Sequence, residues 1–451
     1  MRASWLTLPF ALLALALGGG AGEAAAAGEP FFPGAGNAGY DALDYHVDIV
    51  YMPKSGRIEA RTMVAARAAE NLRRFSLDFR GPRIGKLVVD NRAARFRRRD
   101  GKLLIFPERE IEEGRLFNVV VRYSGVPPTV VDPDGTPEGW FRTDDGVIAV
   151  GEPQGTAAWI PCNNVPGDKA KFDFEITLPA RLKAVANGQL SRVPRWRGRA
   201  RYHWEERAPM SPYLAVLNIG RGKLVKTRAW GRPAWTLVDP RLAGPSRRVL
   251  AALPEVIRFQ SRLFGPYPFG SAGSLVDYAP DLGYALETQS RPIYAYVPDL
   301  TTLVHETAHQ WFGNSVGLQR WPEIWLNEGF ATWSQWYYTE RHGGRSAREI
   351  FDRLYEVPAS NEEFWNPPPG HPGDARHLFD HTVYVRGAMA VQALREEVGT
   401  KPLLRVLRRW TRDHRYGSAT IREFIALAES VSGRELDSLF DRWLYQRGKP
   451  R

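Results

Sequence analysis

From residue 40 to about residue 220, apolar and polar positions mostly alternate. Tyr45, Val47, Ile49 and Tyr51 are separated by His46, Asp48 and Val50, the period of a strand with one buried face. The same reading predicts short strands at 74–79, 87–89, 103–106, 117–123, 172–178 and 213–219, punctuated by turn residues at 80–82 and 132–135. An all-β domain follows from this half. Beyond it the period lengthens. Leu250, Leu253, Ile257 and Leu263 recur at helical spacing over 246–264, and Gly265-Pro266 stops that run. Further helices are predicted at about 300–312, 327–341, 347–355, 384–397, 402–413, 420–431 and 435–446, with strands at 275–278 and around 291–296. The fold class is therefore α+β and multidomain, with residues 41–220 all-β and 221–451 mainly helical.

The N-terminus departs from both patterns. Arg2 precedes an uncharged apolar run from Trp5 to Leu17, followed by small residues up to Ala27. The run is short for a membrane span and reads as a signal peptide over 1–27, with cleavage after Ala27. An uncleaved anchor is the alternative. Residues 28–40, rich in Gly, Ala and Pro, read as a linker. A secreted protein is expected, free or loosely held at the cell-envelope exterior. The single cysteine, Cys162, cannot form an intrachain disulfide and reads as a buried core thiol.

Composition changes this picture little. Hydrophobic residues at 43% exclude a disordered chain. The net charge of +11 suits nucleic acid, anionic lipid or an anionic envelope polymer, but the basic residues are scattered. The densest run, from Arg92 to Arg99, has strand-like flanks and reads as a solvated strand edge rather than a nucleic-acid motif.

The chemistry concentrates at His305-Glu306-Thr307-Ala308-His309, within a predicted helix that Asp299 can cap. Histidines at i and i+4 leave one helix face about a turn apart, so both imidazoles can reach one ion. Glu306 sits beside them, placed to accept a proton from a reacting water. Two exposed histidines on an ordinary helix face give the same string, so a third ligand decides. Gly313 can end the helix, and a second helical stretch carries Glu328 on its first turn. An antiparallel return puts that carboxylate beside the histidines, giving a His₂Glu site with an open position. Alone, Glu328 would read as a helix N-terminal carboxylate favoured by the dipole.

The stretch His305-Glu-Thr-Ala-His-Gln-Trp-Phe-Gly-Asn-Ser-Val316, with Glu328 inside Trp325-Leu-Asn-Glu-Gly-Phe-Ala331, closely resembles the aminopeptidase N family of gluzincins, which includes the leukotriene hydrolase-type enzymes. Ile160-Pro-Cys-Asn-Asn164, Lys169-Ala170, Tyr213-Leu214 with Gly220, and Phe264-Gly-Pro-Tyr-Pro-Phe269 match other elements in order. The resemblance spans about residues 40 to 446. It implies a saddle-like N-terminal β-sheet domain, a thermolysin-like catalytic domain, and one zinc ion held by His305, His309 and Glu328. Glu306 is then the general base, and Tyr384, in Tyr384-Val-Arg-Gly-Ala388, the oxyanion donor, with Arg386 in place of the family's lysine. A buried helix tyrosine is the other reading of Tyr384.

The aminopeptidase signature G-x-M-E-N is represented by Tyr284-Ala-Leu-Glu-Thr288, where only the glutamate survives. By resemblance Glu287 binds the α-ammonium of the substrate, helped by Glu152 in Gly151-Glu-Pro-Gln154. Glu152 can equally be an ordinary loop residue. The expected enzyme is a secreted zinc aminopeptidase, a monomer acting on peptides with a free N-terminus. It binds no nucleic acid and has no membrane span once the signal is removed. Its alternatives are a non-catalytic peptide-binding module on the same fold and an epoxide hydrolase-like enzyme using the same zinc site. The resemblance ends at Tyr445, without the β-sandwich and helical domain of full-length relatives, so a compact two-domain enzyme with an open site is expected.

Overall fold

A computed structural model describes residues 29–451, so the segment read as a signal peptide lies outside the described residues. The N-terminal half is built on a nine-stranded sheet. Its centre comprises β1 (Tyr40–Met52), β2 (Arg57–Ala68), β3 (Leu116–Gly125), β4 (Ala170–Pro179) and β5 (Arg199–Met210). They stand in the order β5-β4-β1-β2-β3, with β1 and β4 parallel and the other neighbours antiparallel. Tyr45, Val47 and Ile49 are fully buried while His46, Asp48 and Val50 are half-buried, as the alternation requires. A five-stranded sheet containing Pro137–Arg142, Val147–Val150 and Leu217–Gly220 packs with it and leads towards the second half.

The basic run splits into two exposed edge strands, Arg92–Ala93 and Arg95–Arg99. An unpaired strand edge is where arginines keep a chain soluble and block further pairing.

The second half opens with a second five-stranded sheet. It pairs Lys223–Ala229 with β6 (Arg232–Val238), β7 (Ala272–Val276), β9 (Ile293–Tyr294) and β8 (Ala285–Leu286) in that spatial order. Helices then dominate: α1 (Ala243–Leu250), α2 (Leu253–Phe264), α3 (Leu300–Ala308), α4 (Trp325–Arg341), α5 (Ala347–Tyr355), α6 (His381–Val398), α7 (Thr400–Asp413) and α8 (Ile421–Ser432). No described helix is long and apolar enough to cross a membrane.

Several local expectations are corrected. The single helix expected over 246–264 is two helices, because Pro254 has no N–H to donate and its ring clashes with the carbonyl of Leu250. The strand expected over 213–219 begins as a 3₁₀ turn, Pro212–Leu214, where the proline presets φ, and only Leu217–Gly220 is extended. The last helix, expected over 435–446, is a four-residue helix, Asp437–Phe440, followed by a wider π turn, Asp441–Tyr445. The helix expected over 300–312 ends at Ala308, before Gly313 is reached.

Residues 29–39 contain no helix or strand but are held against both halves. Asn37 N donates to Asn163 Oδ1 at 2.7 Å, Phe32 meets Trp321 edge-on, and the buried Glu29 accepts from Trp321 N at 3.3 Å. Lys169, at the foot of β4, reaches across to donate to the carbonyls of Asn314, Ser315 and Gly417 at 2.7, 3.0 and 3.0 Å.

Candidate metal and peptidase site

The site begins at a capped helix. Asp299 accepts from Thr302 N at 2.7 Å, so α3 starts where the cap places it and carries His305 in its last turn. His309 stands one residue beyond, at the C-cap. Glu328 lies in the first turn of α4. Its Oε2 is 3.1 Å from His305 Nε2 and 3.4 Å from His309 Nε2. Two ligands of a tetrahedral zinc, each about 2.0–2.2 Å from the ion, stand about 3.4 Å apart. Both histidine–glutamate separations are close to that value, all three donor atoms lie within 4.8 Å of one another, and the N, N, O donor set is one that zinc accepts.

The surroundings hold this arrangement. His309 Nδ1–H donates to Phe312 O at 3.0 Å, which commits Nε2 to face the site as an acceptor. That contact needs the tight turn at Gly313, whose φ is +118° and where a Cβ would sit 3.1 Å from the Asn327 side chain. A second close approach fixes Glu328 relative to Tyr384. Gly329 on α4 and Gly387 on α6 face each other so tightly that a Cβ on Gly387 would meet Gly329 Cα at 3.1 Å. Tyr384 is thereby drawn beside the histidines, its ring 6.1 Å from that of His305 and nearly parallel to it.

The electrostatics ask for positive charge. Glu152, Glu287, Glu306 and Glu328 are all buried here, and the nearby partners with positive charge are imidazoles. Burial raises Glu306 well above the usual carboxylate range, and Glu287 and Glu328 raise it further. Burial works against a charged His309, yet Glu328, Glu287 and Glu306 together push its ring up to about 10. Burial likewise opposes the charge on Glu328, which His309 and His305 nonetheless hold down to about 2. Such a cluster is stabilised by any cation at its centre, and a divalent ion answers it best.

Glu287 follows β8 and is pinned through its backbone. Its carbonyl accepts from Gln310 Nε2 at 3.0 Å and Asn314 Nδ2 at 2.7 Å, both just past the metal-binding helix. Its carboxylate, Glu306 and His309 bring their ligand atoms within 4.8 Å of one another. Glu152 arrives from the β-domain. Burial and then the charge of Glu287 raise its carboxyl well above its ordinary value. One carboxylate oxygen of each, Glu152 Oε1 and Glu287 Oε1, is buried without a hydrogen-bond partner.

All the residues singled out in the sequence thus meet around one point. Arg386 is the exception by role: its guanidinium is wholly buried, and donates to the carbonyls of Trp365, Arg442, Trp443, Gln446 and Gly448. It gathers the C-terminal stretch onto α6. Sequence reasoning missed the Gly329–Gly387 crossing, the anchoring by Gln310 and Asn314, and the buried Tyr294, whose hydroxyl has no partner. The signal for Gln310 and Asn314 was adjacency to His309; for the glycines there was none without the helix crossing.

Residues 288–443 match the peptidase family M1 domain, and residues 141–214 match the peptidase M1 N-terminal domain. The chain belongs to peptidase family M1. Among curated M1 proteins, it is 26% identical over 342 residues to a probable M1 family aminopeptidase 2 of Encephalitozoon cuniculi, an alignment covering 65% of this chain and 38% of that protein. It is 25% identical over 317 residues to aminopeptidase M1-C of Oryza sativa subsp. japonica, covering 64% of this chain and 36% of that one. The alignments therefore take in well under half of these relatives' length. The M1 zinc metallopeptidase of Deinococcus radiodurans superposes with a TM-score of 0.85 at 25% identity, covering 94% of this chain and 98% of that one. A mutant of that peptidase, described as bound to a Tyr-Ser-Ala substrate, superposes equally well, at 25% identity over 94% of this chain and 99% of that one, with a TM-score of 0.85. The two-domain M1 architecture, a β-rich domain followed by a helical one, is that of this chain.

Proposed function

We propose that this M1 protein is an exported zinc aminopeptidase that removes single residues from the N-termini of peptides. The observation that carries the reading is the pair of partnerless, buried carboxylate oxygens on Glu152 and Glu287, set beside the His305–His309–Glu328 cluster. Two buried carboxylates without a cation are costly, and an α-ammonium group supplies the missing charge and donors together. Hydrolysis is then restricted to the first peptide bond, because the ammonium fixes the substrate's start beside the ligand cluster.

One zinc ion held by His305, His309 and Glu328 supplies Lewis acidity to water and to the scissile carbonyl. Glu306, buried and with its carboxylate raised by burial, takes the proton from the attacking water and returns it to the leaving amine. Tyr384 keeps its phenol protonated, since burial and then the charge of Glu328 raise its pKa, and it donates to the oxygen on which negative charge develops. The substrate-bound state described for the D. radiodurans mutant supports peptides as the substrate class.

The test compares an aminoacyl arylamide with its N-acetylated form, before and after chelation. Chelator-sensitive cleavage of the free-amine substrate alone is expected. Equal cleavage of both forms would remove the aminopeptidase assignment, and zinc-free, inactive protein would favour a binding module. Export is tested by sequencing the N-terminus of the protein recovered from outside the cell, with Gly28 expected at its start.

A further inference from the structure

The sheet edge beyond β5 carries a patch the peptidase site does not use. Arg195–Trp196 pairs with the start of β5 as a hairpin whose two turn residues, Arg197 and Gly198, have φ of +44° and +74°. Both left-handed positions mark a type I′ turn, a conformation that favours Asn or Gly, so the arginine at its first position is strained. The turn is rigid, since Ala180 N donates to Gly198 O at 2.8 Å. Trp196 stands 41% exposed at the tip, with the Arg201 guanidinium 5.9 Å from its ring centre.

The charge around that tryptophan is one-sided. Arg181, Arg192, Arg195 and Arg197 are exposed around the tip, with Arg199 and Arg201 half-buried behind them. Glu175 pairs with Arg192 at 3.2 Å and with Arg201 at 2.9 Å. Among the described residues no acidic side chain pairs with Arg181, Arg195, Arg197 or Arg199. Neither the fold nor the site explains this grouping. Unpaired arginines on one tip repel each other.

We propose that this hairpin docks the protein on an anionic phospholipid surface, with Trp196 at the level of the headgroups and Arg181, Arg195 and Arg197 on their phosphates. A half-exposed indole suits the membrane–water boundary, where one part of the ring is apolar and the N–H is wet. Guanidinium groups match phosphate oxygens with paired hydrogen bonds and are attracted to an anionic leaflet. A single rigid tip with a few cations gives reversible, salt-sensitive attachment, not insertion. The peptidase assignment is not needed for this surface, and its failure would leave the proposal standing.

The test is sedimentation with vesicles of mixed phosphatidylglycerol and phosphatidylcholine, or of phosphatidylcholine alone. It uses the chain from Gly28 onward, which the structure describes but for its first residue, because Trp5–Leu17 would itself partition into lipid. Binding to the anionic vesicles alone, weakened by salt, is expected. Combining Arg181→Gln, Arg195→Gln and Arg197→Gln should reduce it roughly fivefold for each arginine removed. Trp196→Ser should weaken it at a temperature where the variant is still folded. Equal binding to neutral vesicles, or parental binding by the arginine variant or by Trp196→Ser, would each overturn the proposal. So would binding of soluble polyphosphate as tightly as vesicles and insensitive to Trp196→Ser, which would assign the patch to a soluble polyanion.

Discussion

Glu306 and Glu328 are neighbours with opposite duties, and their surroundings separate them. Glu328 lies between two imidazoles and is held ionised, as a metal ligand must be. Burial, with the charges of Glu287 and Glu328, outweighs the pull of His309 alone on Glu306 and leaves its carboxylate basic enough to accept a proton. Glu306→Gln should retain one zinc per chain by metal analysis while kcat falls by about 10²–10⁴. Full activity in that variant would refute the role. Tyr384→Phe should lower kcat by about 10²–10³ with zinc content unchanged, since only a transition-state donor is removed. Glu287→Gln should act mainly on kcat/KM for substrates with a free amine, narrowing the preference over N-acetylated ones. His305, Glu306 and His309 were legible in the sequence because i, i+4 spacing on a helix is a geometric statement that needs no tertiary structure, whereas Tyr384 and Glu287 were singled out only by the family resemblance. Glu152 was named only through that resemblance, with an ordinary loop residue as the other reading. It comes from the other half of the chain, and the folded chain brings it against Glu287.

At the scale of elements, the crossing of α4 and α6 sets the distance between Glu328 and Tyr384. Gly387→Ala forces a methyl into the space of Gly329 and Trp325, so a loss of about 1–3 kcal/mol is expected by denaturant titration, with activity falling alongside. The exposed face of the large sheet makes a different statement. Asp173 on β4 lies 2.6 Å from His203 Nε2 on β5 and 3.7 Å from His46 Nδ1 on β1. Its carboxylate raises the pKa of His46 against the opposing effect of burial. Burial opposes the charge on Asp173, but the two histidines hold its carboxyl below the usual range. The sign follows. The stabilisation from His46 is complete below its unfolded value, about 6.5, and is lost as pH rises through the raised folded value. The contribution of Asp173 is present above about 3.9 and is lost as pH falls through its lowered value. An NMR titration of His46 in Asp173→Asn should show its pKa fall; an unchanged value would dissociate the pair. Alternation predicted β1, but not that a parallel neighbour from residue 170 onward would face it, because strand order depends on contacts remote in sequence.

At the scale of the molecule, two domains share one site. Glu152 crosses from the β-domain, and Lys169 crosses beside it to satisfy three carbonyls on the far side. Lys169→Met leaves those acceptors buried, and a cost of about 2–3 kcal/mol is expected by denaturant unfolding. Chelation should also lower the melting temperature, because the zinc ligands come from α3 and α4 and binding only to the folded chain stabilises it. An unchanged melt after chelation would show that the cluster holds no ion.

By itself the sequence determined the division into a β-rich and a helical half and the placing of His305, Glu306 and His309 at helical spacing. These follow from a period of two, a period of 3.6 and a short helical motif, all properties of neighbouring residues. Glu328 also needed the chain to return antiparallel, and Tyr384 was singled out only by the family resemblance. The tertiary structure alone decided between the two readings of Glu152 by setting it against Glu287, and it alone showed that glycines set the approach of α4 to α6 and that Arg386 anchors the C-terminal stretch. Those facts depend on which surfaces meet when the apolar faces are buried. That choice is made by the packing of the whole chain, and no single stretch of the chain contains it.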